Sequence, residues 1–294
     1  MAEFDSKKLL KHYAEGERSF RLADLNGIDL AGADLSQADF TGADISGGTL
    51  NNIQLRDTNL NAALLSRAHL QRADLKRASM NAIGLDHADL SDATLYQASL
   101  AIADMVEALL VGADLCRADL NGANLTKANL NNAQIIESNL TEAILIEANL
   151  SGARLSHSDL SLINLNMAYL LEADLHDVDL SKGDLVMANF SKANLRRATL
   201  AGANLRFSIL SGADLIYADL RGANLTSATL TGADFSYANL QGANLTKCMV
   251  NQTNFYKANL NGARFAYVNT KEMLNADLKN ILTEAAQVDT SIIK

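Results

Sequence analysis

Residues 112–125 read Gly112-Ala113-Asp114-Leu115-Cys116-Arg117-Ala118-Asp119-Leu120-Asn121-Gly122-Ala123-Asn124-Leu125. A large apolar residue recurs every fifth position, with Ala two places before it and Asp or Asn in between. Followed outward, the period holds without a slip from Phe20 to Phe265, and all 50 central positions are apolar. Most are Leu, and the variants include Phe20, Phe40, Ile45, Met80, Phe190, Phe235, Phe255 and Phe265. Ala fills 36 of the 50 positions two places earlier, with Ser138 and Cys248 among the exceptions.

A period of five suits neither common element. On an α-helix, five residues turn about 500°, so successive Leu would walk around the cylinder. On a flat strand an odd step alternates faces. The chain must therefore bend at every repeat, so that each central residue returns to one axis with a small residue beside it. Thirteen of the 17 Gly support the bend, because they share one column, two residues after the central one, where a corner favours unusual φ. With no Trp and only 5% aromatics, the core must be narrow.

This pattern resembles the pentapeptide repeat family over roughly residues 18–268. The resemblance implies an all-β solenoid, a right-handed four-sided parallel β-helix, to which the flanking segments add short N- and C-terminal capping α-helices. It would have about 12 coils and, at about 4.8 Å per coil, a length of about 60 Å. A step of 20 has support of its own. Phe20 with Phe40, and Phe235 with Phe255, become inward pairs one coil apart, and Arg117, Glu137, His157, Asp177 and Arg197 become an outward column of compatible charge.

The sequence divides into a capping helix over 1–17, the repeats over 18–268, and a helix and tail over 269–294. Asp5 caps the first helix, Phe4 and Leu9 form a staple, and Gly16 ends it. After the repeats, Asn269 and Glu272 have capping-box spacing, Val268 can staple onto Met273, and Leu274, Leu278, Ile281 and Leu282 lie on an apolar stripe. This predicts an amphipathic helix over about 270–286, read first as a lid over the last coil. A homodimer contact through Met273, Leu274, Leu278, Ile281 and Leu282 is the alternative, since some members of the family it resembles dimerise through C-terminal segments.

Composition narrows the function. A net charge of -9 argues against direct nucleic-acid binding, which needs clustered Lys and Arg. No apolar run of about 18 residues exists to cross a membrane, and residues 1–11 lack an apolar signal core, so the cytoplasm is expected. Two cysteines make no disulfide framework. A regular coil without inserted loops offers no concave site, so neither an enzyme nor a cofactor is expected. The recurring Asp, exchanged freely with Asn and Thr, suits hydrogen bonds to nearby backbone better than acid–base chemistry. With coils stacked at 20, His157 lies beside Asp177 and one column from His176. No third ligand at fixed spacing stands out, and no metal is expected.

The outward columns are mostly polar, with two exceptions. Ile144, Ile146, Met167, Val186, Met187 and Phe207 share one side, and Ile216, Tyr217, Tyr237 and Tyr256 share another. Contiguous exposed apolar groups mark interaction sites. The leading reading is a non-enzymatic scaffold or regulatory adaptor that binds another protein through a flat face. The alternative, implied by the resemblance, is a DNA-mimicking inhibitor or protector of DNA gyrase or topoisomerase; the interspersed Arg67, Arg72 and Arg77 weigh against it. Residues 9–20 are similar to the openings of cyanobacterial family members, some tied to control of cell differentiation.

Overall fold

The computed structural model describes residues 5–282. Its backbone falls into two compact units, Met1–Asn149 and Leu150–Lys294. Each unit is built the same way. Parallel bridges join residues 20 apart, from Ser19 with Asp39 to Asn129 with Asn149 in the first unit, and from Arg154 with Asp174 to Asn244 with Arg264 in the second. Twenty residues hold four repeats, so every coil has four sides.

The backbone donors of one repeat show why the period is five. Leu115 N–H donates to the carbonyl of Gln134, Arg117 N–H to Ile136, and Asp119 N–H to Ala98, all in neighbouring coils. Ala118 N–H closes the corner onto the Leu115 carbonyl at 3.0 Å. The fifth donor, Cys116 N–H, bonds to Oδ1 of Asp114 at 3.0 Å. The Asp/Asn column thus completes the accounting that a part-buried backbone requires. Where that residue is neither Asp nor Asn, an Asn one coil earlier can substitute. Asn51 Oδ1 accepts from Gln71 N–H at 3.1 Å, and Asn61 Oδ1 from Asn81 N–H at 2.8 Å.

The corner itself demands left-handed backbone. All 50 positions two residues after the central one have positive φ, 13 of them Gly and 37 other residues. Non-glycine residues pay a steric cost there, and β-branched ones the most. Ile102 is the one Val, Ile or Thr in the column.

All 50 central side chains are buried. Phe20 stacks on Phe40 with ring centroids 5.3 Å apart, and Phe235 on Phe255 at 5.2 Å, as a step of 20 requires. The Ala column lies inside the corner, and its polar replacements return their hydroxyls to the backbone. Ser138 Oγ donates to the Leu115 carbonyl at 2.8 Å, and Thr253 Oγ1 to that of Leu230 at 2.8 Å. Cys248 does the same toward Leu225, and burial pushes its thiol up to about 12.

At the start, helix α1 spans Ser6–Ala14. Asp5 caps it by accepting from Lys8 N–H at 2.7 Å, and Leu9 is buried. Tyr13 donates its hydroxyl to the Ser36 carbonyl at 2.8 Å. Gly16, with φ of 99°, turns the chain out of the helix. Phe4, expected to staple onto Leu9, lies outside the described residues.

The other end corrects the expected helix. Among the described residues only a single 3-10 turn forms here, Thr270–Glu272, and those that follow up to 282 are extended and bent. Leu274 bridges Asn254, and Leu282 bridges Arg264. The reason is the edge of the preceding coil. Phe255 N–H and Phe265 N–H bond to the carbonyls of Leu274 and Leu282, and a helix would leave both donors unpaired. The apolar stripe is correspondingly split: Leu278 is buried, Met273 and Ile281 are half-buried, and Leu274 and Leu282 are exposed. The dimer alternative rested on a helical face that does not form over 273–282; residues 283–286 lie outside the described residues.

The corner can be tested where space is not a factor. A Cβ at Gly232, whose φ is 68°, would meet no atom within 4 Å. Gly232→Val should therefore lower unfolding stability by about 1–2 kcal/mol through backbone strain alone, and Gly232→Asn by less, because Asn tolerates this region. Chemical denaturation of the two variants measures both; equal stabilities would refute strain at the corner.

Candidate functional site

The second unit gathers most of the exposed apolar side chains expected to form a patch. Met167 N–H donates to the Val186 carbonyl at 2.9 Å, Met187 N–H to Arg206 at 3.0 Å, and Phe207 N–H to Thr226 at 3.1 Å. This ladder stacks Met167, Met187 and Phe207 in one corner column, with all three exposed and Val186 half-buried beside them. Arg206 extends its guanidinium over the Phe207 ring at 5.3 Å. Ile144 and Ile146 belong to the first unit, where Ile144 is exposed and Ile146 half-buried.

The second-unit patch is larger than side-by-side reading foresaw. Tyr169 is 54% exposed, and Leu162, Leu171 and Ile209 are exposed with it. Only one buried residue, Ala168, separates Met167 from Tyr169, and only Ser208 separates Phe207 from Ile209. Tyr169 and Ile209 each bridge Asn189, so they flank one strand position on the adjoining side. The apolar surface therefore turns the corner and covers parts of two sides. The signal was present in the sequence: apolar residues at 167, 169, 171, 207 and 209 become neighbours once the corner is recognised as a narrow ridge.

The tyrosine group also forms. Tyr217 stacks on Tyr237 with centroids 4.9 Å apart, and Tyr237 meets Tyr256 edge-on at 5.6 Å. Lys257 Nζ lies 5.4 Å from the Tyr237 ring and 5.2 Å from the Tyr256 ring, within cation–π range. Ile216 is half-buried beside them.

Charge follows the same 20-residue rule. Arg77 pairs with Asp57 at 2.6 Å and Arg117 with Glu137 at 2.8 Å, both in the first unit. Lys192 pairs with Glu172 at 3.3 Å and Arg197 with Asp177 in the second. Hydrogen bonds from Arg77 and Arg197 hold the carboxyls of Asp57 and Asp177 below the usual range. In the Asp column, the Ser36 and Ser46 hydroxyls and N–H groups do the same for Asp34 and Asp44. The depression bounded by His176, Asp177, Asn194, Arg196 and Arg197 opens to solvent. Among the described residues, His157, His176 and Asp177 form a group whose candidate ligand atoms all lie within 4.8 Å of one another. No helix among the described residues is long and apolar enough to cross a membrane.

A protein-family model described as pentapeptide repeats matches in eight copies, over residues 19–57, 53–92, 103–141, 123–161, 173–206, 188–226, 208–246 and 238–269. The match agrees with a right-handed β-helix. Among solved structures, the chain is 31% identical to HetL from the cyanobacterium Nostoc sp. strain PCC 7120, a pentapeptide repeat protein involved in regulating heterocyst differentiation. That alignment covers 89% of this chain and 97% of HetL, with a TM-score of 0.37. A pentapeptide repeat protein of the Arabidopsis thaliana thylakoid lumen is 32% identical over 35% of this chain and 79% of its own, with a TM-score of 0.31. QnrB1, a plasmid-mediated fluoroquinolone resistance protein, is 16% identical over 72% of this chain and 93% of its own, with a TM-score of 0.35, a likeness too low to bear on function. A search of curated proteins finds no match.

The lowered carboxyls set the acid response. Each of Asp34, Asp44, Asp57 and Asp177 binds its proton less readily when folded than in the unfolded chain, where the value is about 3.9. Their stabilisation is thus fully present above about pH 5 and is lost as pH falls through the lower folded values. Urea midpoints measured downward from pH 7 should stay level to about pH 5 and then decline. A midpoint that rises below pH 4 would contradict the assignment.

Proposed function

We propose that this chain, which belongs to the pentapeptide repeat family, is a non-enzymatic scaffold or regulatory protein that binds another protein through the apolar corner of its second unit. The observation that carries this reading is the cluster of Leu162, Met167, Tyr169, Leu171, Met187, Phe207 and Ile209, all exposed within one unit. Burying a face of this kind against a partner is favourable at about 25 cal/mol per Å² of apolar surface. A regulatory role is in keeping with the 31% identity to HetL across nearly its whole length. Ile144 and Ile146 offer a smaller contact on the first unit, and the stacked tyrosines a second one.

A DNA-mimicking role at gyrase or topoisomerase is less well supported. Mimicry of a duplex needs an unbroken run of negative charge, whereas acidic side chains here alternate with Arg and Lys partners along their columns. The aromatic and apolar groups further interrupt any acidic stripe.

The test is a quantitative pull-down from host lysate with wild type and the combined variant Met167→Lys, Met187→Lys, Phe207→Glu. The three positions have positive φ, and Lys127 and Glu137 already occupy equivalent corners, so the coil should tolerate the changes. Circular dichroism must remain that of the wild type. Partners captured by wild type and lost from the variant are the expected result. An unchanged set of partners would overturn the assignment of this face.

A further inference from the structure

We propose that His157, His176 and Asp177 form a binding site for a zinc-class divalent ion on the outer surface of the second unit. The coil brings them together in two ways. A step of 20 sets residue 157 beside residue 177, and His176 precedes Asp177 on the same side. His157 N–H bonds to the His176 carbonyl across the coils at 3.3 Å, and the two imidazole rings meet edge-on with centroids 5.1 Å apart. One ligand atom from each of the three residues lies within 4.8 Å of the other two. Zn–N bonds of about 2.0–2.1 Å put tetrahedral donors about 3.3 Å apart. Rotation of the exposed His157 side chain toward the half-buried pair closes the difference.

The histidine between the coils is already oriented. His176 Nδ1 lies 2.6 Å from Oδ1 of Asp174, which also accepts from Asn194 Nδ2 at 2.9 Å. A proton held on Nδ1 toward that carboxylate leaves the Nε2 lone pair as the ligand, the arrangement by which carboxylates orient metal-binding imidazoles. Two imidazoles and one carboxylate suit zinc, copper and nickel; calcium and magnesium prefer all-oxygen sites. Three protein donors leave at least one position for water, so the site is open.

Arg197 is the built-in competitor. Its guanidinium makes two hydrogen bonds to the two carboxylate oxygens of Asp177, one of them at 2.6 Å. A bound ion must displace at least one of these, and the exposed Arg197 side chain is free to swing into solvent. The arginine therefore lowers affinity without blocking the site. This sets the group apart from a single surface histidine, because a change at Arg197 should act on binding in the opposite direction to a change at any ligand.

The experiment uses the full chain without a histidine tag, stripped with chelator, and titrated with zinc chloride against a chromophoric zinc indicator. One zinc per chain is expected. His157→Ala, His176→Ala and Asp177→Asn should each weaken binding about tenfold or more, and Arg197→Gln should tighten it, with circular dichroism unchanged in all four. Absence of uptake at millimolar zinc would overturn the proposal. So would stoichiometric uptake that both histidine variants leave intact, and binding indifferent to both Asp177→Asn and Arg197→Gln would remove the carboxylate and with it the triad.

Discussion

In most repeats the residue before the centre is Asp or Asn, and its side chain recurrently takes the backbone N–H two places on, a bond on which the corner depends. Cys116 N–H on Asp114 is the pattern, and Asn26 on Asp24, Thr126 on Asn124 and Ser236 on Asp234 repeat it. The bond draws the chain into its bend at the point where φ turns positive two residues after the centre. Bend and side chain thus enforce one another. With each corner fixed locally, the only remaining requirement is that coils stack in register, and the buried central residues supply it. The narrow interior accepts one large residue per side, so a polar group at that position would face no partner at all.

Most of the architecture was legible because the period is steric. The spacing of Phe20 and Phe40 already announced the coil length that their stacked rings display. The Gly column announced the left-handed corner, although 37 other residues accept the same strain. The C-terminal segment was misread for a physical reason. Leucines four residues apart satisfy a helix and also satisfy a bent coil, and local pattern cannot distinguish them. What decides is a distant partner: the donors of Phe255 and Phe265 wait on an open edge, and the chain continues as extended backbone to meet them. The apolar patch was legible in part. Met167, Met187 and Phe207 stood out as a column, whereas Tyr169, Leu171 and Ile209 were hidden by treating each side as a separate surface.

Because the inward residues and the Asp/Asn column maintain the coil, the corner columns are free to carry other chemistry. One column of the second unit shows how far this goes. Asp177 and Arg197 form an ion pair, then Tyr217 stacks on Tyr237, and Lys257 covers the aromatic end. Each neighbour is chosen for the one 20 residues away, by charge or by ring. Such columns lend a flat surface specificity without a pocket, since chemically distinct groups are held at a constant spacing by the backbone beneath. The same spacing that permits a charge ladder also brings two imidazoles within reach of a carboxylate.

The last bridges among the described residues carry a consequence for register. Asn254 pairs with Leu274 at the usual step of 20, but Arg264 pairs with Leu282 at a step of 18. Two residues are missing from that turn, so its central and outward positions fall out of phase with those below. Open sheet edges recruit new strands when their register can be copied. A bridge displaced by two residues breaks that register, so it does not continue the 20-residue step of the coils before it.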